Sequence, residues 1–186
     1  MTPKQDSAIQ PALVAEVLAT YRLHLGGLHG PGHWLRVLAN GRALALRTAG
    51  SDLAVVELFA LLHDSRRENE GRDSQHGERA AAFAIALSER GLLGLAAHQL
   101  DRLAAACARH EHGGVSPDPT IGCCWDADRL ELSRLGRRPL AELLSTTAAL
   151  DADLQKAAWE RGLDEEINAT HAAEWGLDLR ALRGEV

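Results

Sequence analysis

The chain has 186 residues, 46% of them hydrophobic and 25% charged, and carries a formal net charge of -6. That size and mix predict one globular domain with a real core and exclude a fibrous or compositionally disordered chain. The acidic balance argues against general nucleic-acid binding but leaves room for a small phosphorylated ligand, because local cations or a metal dominate the field inside a pocket.

Aromatic residues make up only 4% of the sequence, which favours helices over sheets, since strands draw on aromatic and β-branched side chains. Cys107, Cys123 and Cys124 make a poor disulfide framework and form no CxxC pair, so reduced thiols in a cytoplasmic protein are expected. Met1-Thr-Pro-Lys-Gln-Asp lacks the basic and apolar regions of a signal peptide, and no apolar run approaches the ~18 residues of a membrane span.

Residues 1–10 are polar and predicted to fray. An amphipathic helix is predicted from Pro11 to Leu23, with Pro11 in its first turn. Gly26-Gly-Leu-His-Gly-Pro-Gly32 breaks it; without a preceding strand or a GK[ST] ending, this is a turn rather than a phosphate loop. A second helix is predicted over 33–46, with His33, Val37 and Leu44 near one face. His29, in the loop, is the runner-up, for a capping or substrate contact or for metal binding.

Asp52 is the expected N-cap of a third helix, 53–63. Its apolar stretch Leu58-Phe-Ala-Leu-Leu ends in His63-Asp64. Two metal-binding groups closing a buried segment are costly without a counter-charge. Adjacent residues on a regular helix point about 100° apart, but a relaxing helix end would let both reach one ion. The alternative is a C-terminal histidine beside a capping aspartate.

A dense polar loop follows from Ser65 to Gly77, read either as solvated surface or as a pocket wall. In the second reading Arg66 and Arg67 hold phosphate oxygens, and Glu68, Glu70 or Asp73 orients a water. His76 opens a fourth helix, 77–90, and a fifth spans 95–110. His110-Glu-His112 then meets Gly113-Gly114, a helix stop where histidine also suits the macrodipole.

Asp118 and Pro119 precede an apolar segment, 120–132, that carries Asp126 and Asp128 two apart. One should face inward, and Leu130 with Trp125 behind it favours Asp128 as the buried one. From Gly136 onward the pattern is structural: helices over 139–144 and 148–161, a stop at Gly162, and an acidic amphipathic remainder in which His171 and Trp175 suggest packing. Exposed apolar surface there would suit a homodimer.

Read together, His33, His63-Asp64 and Asp128 form the ordered pattern H…HD…D. It resembles the HD-domain superfamily of metal-dependent phosphohydrolases over roughly residues 28–135. His33-Trp-Leu-Arg36-Val37 is similar to the family's first-helix H-x-x-R-V, and Asp128-Arg129-Leu130 to its late acidic ligand. The resemblance implies an all-α, single-domain helical bundle over 1–186, with 136–186 as a C-terminal helical extension. It also implies that His33, His63, Asp64 and Asp128 converge on one divalent transition metal. Mn, Fe, Co, Ni and Zn all suit such ligands.

His76-Gly77 and His110 further resemble the six-ligand, two-metal branch, in which Asp64 would bridge and His76 and His110 would hold a second ion. The branch's Gly-Tyr-Pro signature is absent after His110, where the chain reads Gly113-Gly-Val-Ser-Pro117, and the Asp64–His76 loop is short. Both departures argue against a cyclic-dinucleotide substrate.

The expected function is hydrolysis of a nucleotide or other small phosphate ester by a metal-activated water. In this expectation Asp64 helps hold the water, Glu68 or Asp73 assists, and Arg66 and Arg67 neutralise the phosphate. The alternatives are a di-iron oxygenase of the same type and a non-catalytic metal- or ligand-binding module.

Overall fold

The computed structural model describes residues 7–163 and 165–178. Over these residues the secondary structure is wholly helical, as the composition predicts. The α-helices are α1 (Pro11–Ala19), α2 (Pro31–Ala45), α3 (Leu53–Leu62), α4 (His76–Glu89), α5 (Ala97–Arg109), α6 (Pro119–Leu130), α7 (Ala152–Leu163) and α8 (Glu165–Glu174). Short 3-10 segments extend α5 at His110–His112 and α6 at Glu131–Leu135, and others fall at Ala141–Leu143 and Ala148–Leu150.

The bundle is built around α3, which is apolar on every side except at Glu57. A helix of that kind is stable only if surrounded. Accordingly α2, α5 and α6 all pack against it, α4 lies along α5, and α7 and α8 cover α2. Asp52 caps α3 as expected, accepting from the backbone N–H of Ala54 and Val55 at 3.1 and 3.4 Å, an arrangement worth about 0.5–2 kcal/mol. The buried side chains of all these helices join one core. No helix among the described residues is long and apolar enough to cross a membrane.

Two glycines set the helix spacings that matter below. A Cβ on Gly41 of α2 would lie 2.6 Å from Val56 Cγ1 of α3, and one on Gly77 of α4 would lie 2.5 Å from the Cys107 carbonyl of α5. Only glycine permits approaches this close. Each pair delivers two histidines: His33 with His63 from α2 and α3, and His76 with His110 from α4 and α5.

Several boundaries depart from the sequence expectation. Residues 7–10 are tied down rather than frayed: Ser7 Oγ and Ala8 N donate to the buried Glu57, and Ile9 enters the core. Residues 1–6 lie outside the described residues, as do 179–186 of the acidic remainder. The first helix ends at Ala19, not Leu23, because the Thr20 hydroxyl bonds back to the Glu16 and Val17 carbonyls as the helix closes.

The segment 139–144 forms only the short 3-10 turn Ala141–Leu143. The helix expected from Ala148 begins at Ala152, where Asp151 accepts from Leu154 N at 2.9 Å. Gly162 does not stop α7. It lies inside the helix, where its missing Cβ makes room for Ser133.

Candidate metal centre

His63 and Asp64 stand where α3 tightens. The His63 N–H still closes an α-helical bond to Phe59 O (2.9 Å), but Ser65 N reaches Leu62 O (3.0 Å) and Arg67 N reaches Asp64 O (3.2 Å), three residues back. At this helix end the imidazole and the carboxylate nevertheless meet, His63 Nε2 lying 3.7 Å from Asp64 Oδ2.

His33 arrives from the first turn of α2, His76 from the first residue of α4, His110 from the end of α5, and Asp128 from the last turn of α6. All four imidazoles and Asp64 are buried.

The ligand atoms fall into two groups that share Asp64, one of His33, His63 and Asp64, the other of Asp64, His76 and His110. Within each group the atoms lie within 4.8 Å of one another. Asp64 Oδ2 faces the first pair, 3.4 Å from His33 Nε2 and 3.7 Å from His63 Nε2. Asp64 Oδ1 faces the second, 3.0 Å from His76 Nε2 and 3.7 Å from His110 Nε2. Asp128 Oδ1 lies beside the first group, 3.3 Å from His33 Nε2 and 3.7 Å from His63 Nε2.

The outer ring nitrogens are all committed. His63 Nδ1 donates to Phe59 O at 3.1 Å, His76 Nδ1 to Asp73 O at 2.5 Å, and His110 Nδ1 to Cys107 O at 2.7 Å. Carbonyl oxygens only accept, so these nitrogens carry the protons. His33 Nδ1 donates to Glu131 Oε2 at 2.8 Å, and Glu131 is itself held by Arg36 and Arg134.

The consequence is that each Nε2 directs its lone pair inward. His33 and His63 meet Nε2 to Nε2 at 3.0 Å, and His76 and His110 at 2.8 Å. Two bare acceptors at that distance repel, so the arrangement requires a proton or a cation in each gap.

The same tension appears in the acid–base balance. Burial and Arg134 disfavour a charged His33, but Glu131, Asp128 and Asp64 outweigh them and raise its pKa to about 10. Burial pushes His63 the other way, to about 3, against the pull of Asp64 and Asp128. Burial also disfavours an ionised Asp64, yet the surrounding imidazoles hold it well below the usual carboxylate range. Without a metal the cluster thus borrows a proton on His33 to offset its carboxylates.

The donor set fits metal ions. Metal–nitrogen bonds of about 2.1 Å at right angles place two nitrogens about 3.0 Å apart, against roughly 3.4 Å for a tetrahedral pair. Both histidine pairs match the right-angle value. Asp64 Oδ1 is buried with no hydrogen-bond partner, which is costly for a carboxylate oxygen unless a cation meets it. Orienting partners behind the ligands, as Glu131 and the three carbonyls are here, are the usual support of a metal-binding histidine.

The two acids of α6 divide the work differently from expectation. Asp126 is the more buried, at 0% exposure, whereas the Asp128 side chain is 24% exposed. Asp126 accepts from Ser145 N, Thr146 N and Thr146 Oγ, all at 2.8 Å, and so ties the 144–147 segment to α6. Asp128 faces the histidines across a more open space. Burial therefore marks the structural acid, and proximity to imidazole marks Asp128 as the candidate ligand.

The polar loop residues are placed less centrally. Arg67 lies closest: its guanidinium is 3.6 Å from Asp64 Oδ1 and 3.3 Å from His76 Nε2, and it is pinned by the Asn69 and Gly71 carbonyls. Arg66 turns the other way, donating to Thr20 O and Oγ1 and covering the Phe83 ring.

Glu68 pairs with Arg22 at 2.7 Å on the surface, and Asp73 is occupied by Arg79 and the Glu68 N–H. Neither carboxylate stands among the ligand atoms, because each is needed to hold the loop's own arginines. Glu70 accepts from His29 at 2.5 Å, which joins the glycine loop to this one.

Sequence reasoning missed Glu131. The signal available was its position three residues after Asp128, on the same helical face, and its charge between Leu130 and Leu132. Glu111 was also missed; it lies 3.5 Å from His76 Nδ1.

The chain matches no protein-family model, no curated protein and no solved structure.

Proposed function

We propose that this protein is a two-metal phosphohydrolase of the HD-domain type that its H…HD…D pattern resembles, acting on a nucleotide or other small phosphate ester. The observation that carries this reading is Asp64, whose two oxygens face two separate pairs of inward-directed Nε2 atoms. Such a bridge suits two divalent ions side by side. Ions held there would lower the pKa of a water toward neutrality and draw charge from a phosphoryl oxygen.

The residues supply the rest. Asp64 keeps the two groups in register, and Glu131 fixes the tautomer and orientation of His33. Arg67 adds a fixed positive charge beside Asp64 Oδ1, placed to pair with a phosphate oxygen. Among the ligands Asp128 alone has appreciable exposure, which supports approach of the substrate from its side.

A second reading, dioxygen activation by two irons, draws support from the same bridge. Metal analysis of protein purified without chelator, with phosphate release from a panel of nucleotides and phosphate esters, separates the two. Hydrolysis predicts phosphate release in the presence of bound divalent metal and its loss in His76→Ala together with about half of the metal. Two irons per chain with an oxidation-sensitive spectrum and no phosphate release would overturn the hydrolase assignment. Unchanged metal content in His76→Ala would overturn the second ion.

A further inference from the structure

On the opposite side of the Asp64–Arg67 turn, Thr20, Arg22, Ser65, Arg66, Glu68 and Arg79 line a cavity of about 80 Å³. That is several times the space one water requires. Three guanidinium groups converge on it, and their pairing is unequal. Arg22 has Glu68 and Arg79 has Asp73. Among the described residues Arg66 has no carboxylate partner: it bonds to Thr20 and covers the Phe83 ring at 3.3 Å, and its Nε is buried with no hydrogen-bond partner there.

A half-buried cation in this position is under-compensated. Two carboxylates, Glu68 and Asp73, face three guanidinium groups here, which leaves one positive charge uncompensated.

We propose that this cavity, lined by Arg22, Arg66 and Arg79, is a binding site for a tetrahedral oxyanion of the phosphate class. The chemistry follows from the donors. Guanidinium groups bind phosphate oxygens through paired N–H bonds, and the Thr20 hydroxyl adds a neutral donor.

Glu68 stands at the rim as the group that holds Arg22 in place, and an anion inside takes over part of its role. The site is separate from the metal centre. No hydrogen bond or ion pair among the described residues joins Arg66, Arg22 or Arg79 to the imidazoles or to Asp64. The connection runs through the backbone of the turn, as Arg79 Nε donates to Arg66 O at 3.0 Å. The proposal does not depend on what reaction the metal centre performs.

The test uses inorganic phosphate as probe, titrated by calorimetry into the full metal-loaded chain and into the Asp64→Asn chain, which removes the bridging ligand. Phosphate is expected to bind both. Arg66→Gln should weaken binding to the Asp64→Asn chain by about tenfold or more, and Arg22→Gln, on the exposed rim and harmless to folding, by a smaller factor in the same direction.

Equal affinity with and without Arg66 would overturn the site. So would complete loss of binding in Asp64→Asn, which would place the anion on the metals. A nucleoside monophosphate arm distinguishes the source. Binding of the monoester at least as tightly as phosphate, and sensitive to Arg66→Gln, supports a site for a substrate's phosphoryl group. Binding of the free anion alone, with the same sensitivity, supports a site for an effector.

Discussion

Two polar regions of this molecule use the same residue types to opposite ends. Beneath α8, Arg42 donates to Glu57 at 2.7 Å and to Glu174 at 2.7 Å, with His171 Nδ1 3.2 Å away. The second Glu57 oxygen accepts from Ser7 and Ala8. Each of these acceptors has a donor, and His171 is kept neutral by burial and by Arg42.

Around Asp64, four imidazoles turn Nε2 atoms toward one carboxylate, and Arg67, 3.3 Å from His76 Nε2 and 3.6 Å from Asp64 Oδ1, reaches the His76 side of the cluster. The first region is a closed network that fastens the N-terminal segment and α8 to α2 and α3. The second has an excess of acceptors, which is the condition for capturing a cation. Histidine and acid content alone does not tell them apart; the balance of donors against acceptors does.

That contrast can be broken most directly at Asp64. Asp64→Asn is expected to reduce metal affinity by more than about 100-fold, beyond the 10–100-fold typical of supporting partners. It should also abolish the rise in Tm on adding metal, while leaving the metal-free chain folded. Metal content by mass spectrometry and unfolding with and without metal check this. Retained stoichiometry would remove the bridge from the account.

Glu131→Gln keeps the shape but weakens the hold on His33, and should cost about 10–100-fold in affinity at the His33–His63 side while sparing the His76–His110 side. Equal loss at both sides would point to general destabilisation instead.

The smallest effect on metal is expected from Glu57→Ala, in the closed network. It leaves Arg42 short of a partner and should lower stability by about 2 kcal/mol in denaturant unfolding, with unchanged metal stoichiometry. A change in metal content there would show that the two regions are not independent.

The sequence carried much of this architecture because helix signals are local. The Asp52 cap, the apolar run of α3 and the glycine stop after His112 depend only on residues within a few positions of one another, and the structure keeps all three. Signals failed where a distant contact redefined a residue. Gly162 reads as a stop, yet its function is to admit Ser133 from across the chain. Asp128 reads as the buried acid because of its apolar neighbours, yet Asp126 is the more buried, because the Ser145 and Thr146 donors reach it from a segment that only tertiary folding brings near. Glu68 and Asp73 read as free carboxylates in a polar loop, and the fold spends both on arginines.

By itself the sequence determined that the described residues are helical, where the helices from α2 to α6 lie to within a few residues, and which histidines and acids stand at their ends. Spacing and apolar periodicity act along the chain and are readable there. Only the tertiary structure decided that the two carboxylate oxygens of Asp64 would face different histidine pairs, and that Glu131 would lock His33 from behind. Convergence of side chains separated by as many as 98 positions is fixed by how closely helices pack. That closeness rests on the absence of a side chain at Gly41 and Gly77, whose meaning appears only when the opposite helix is in place.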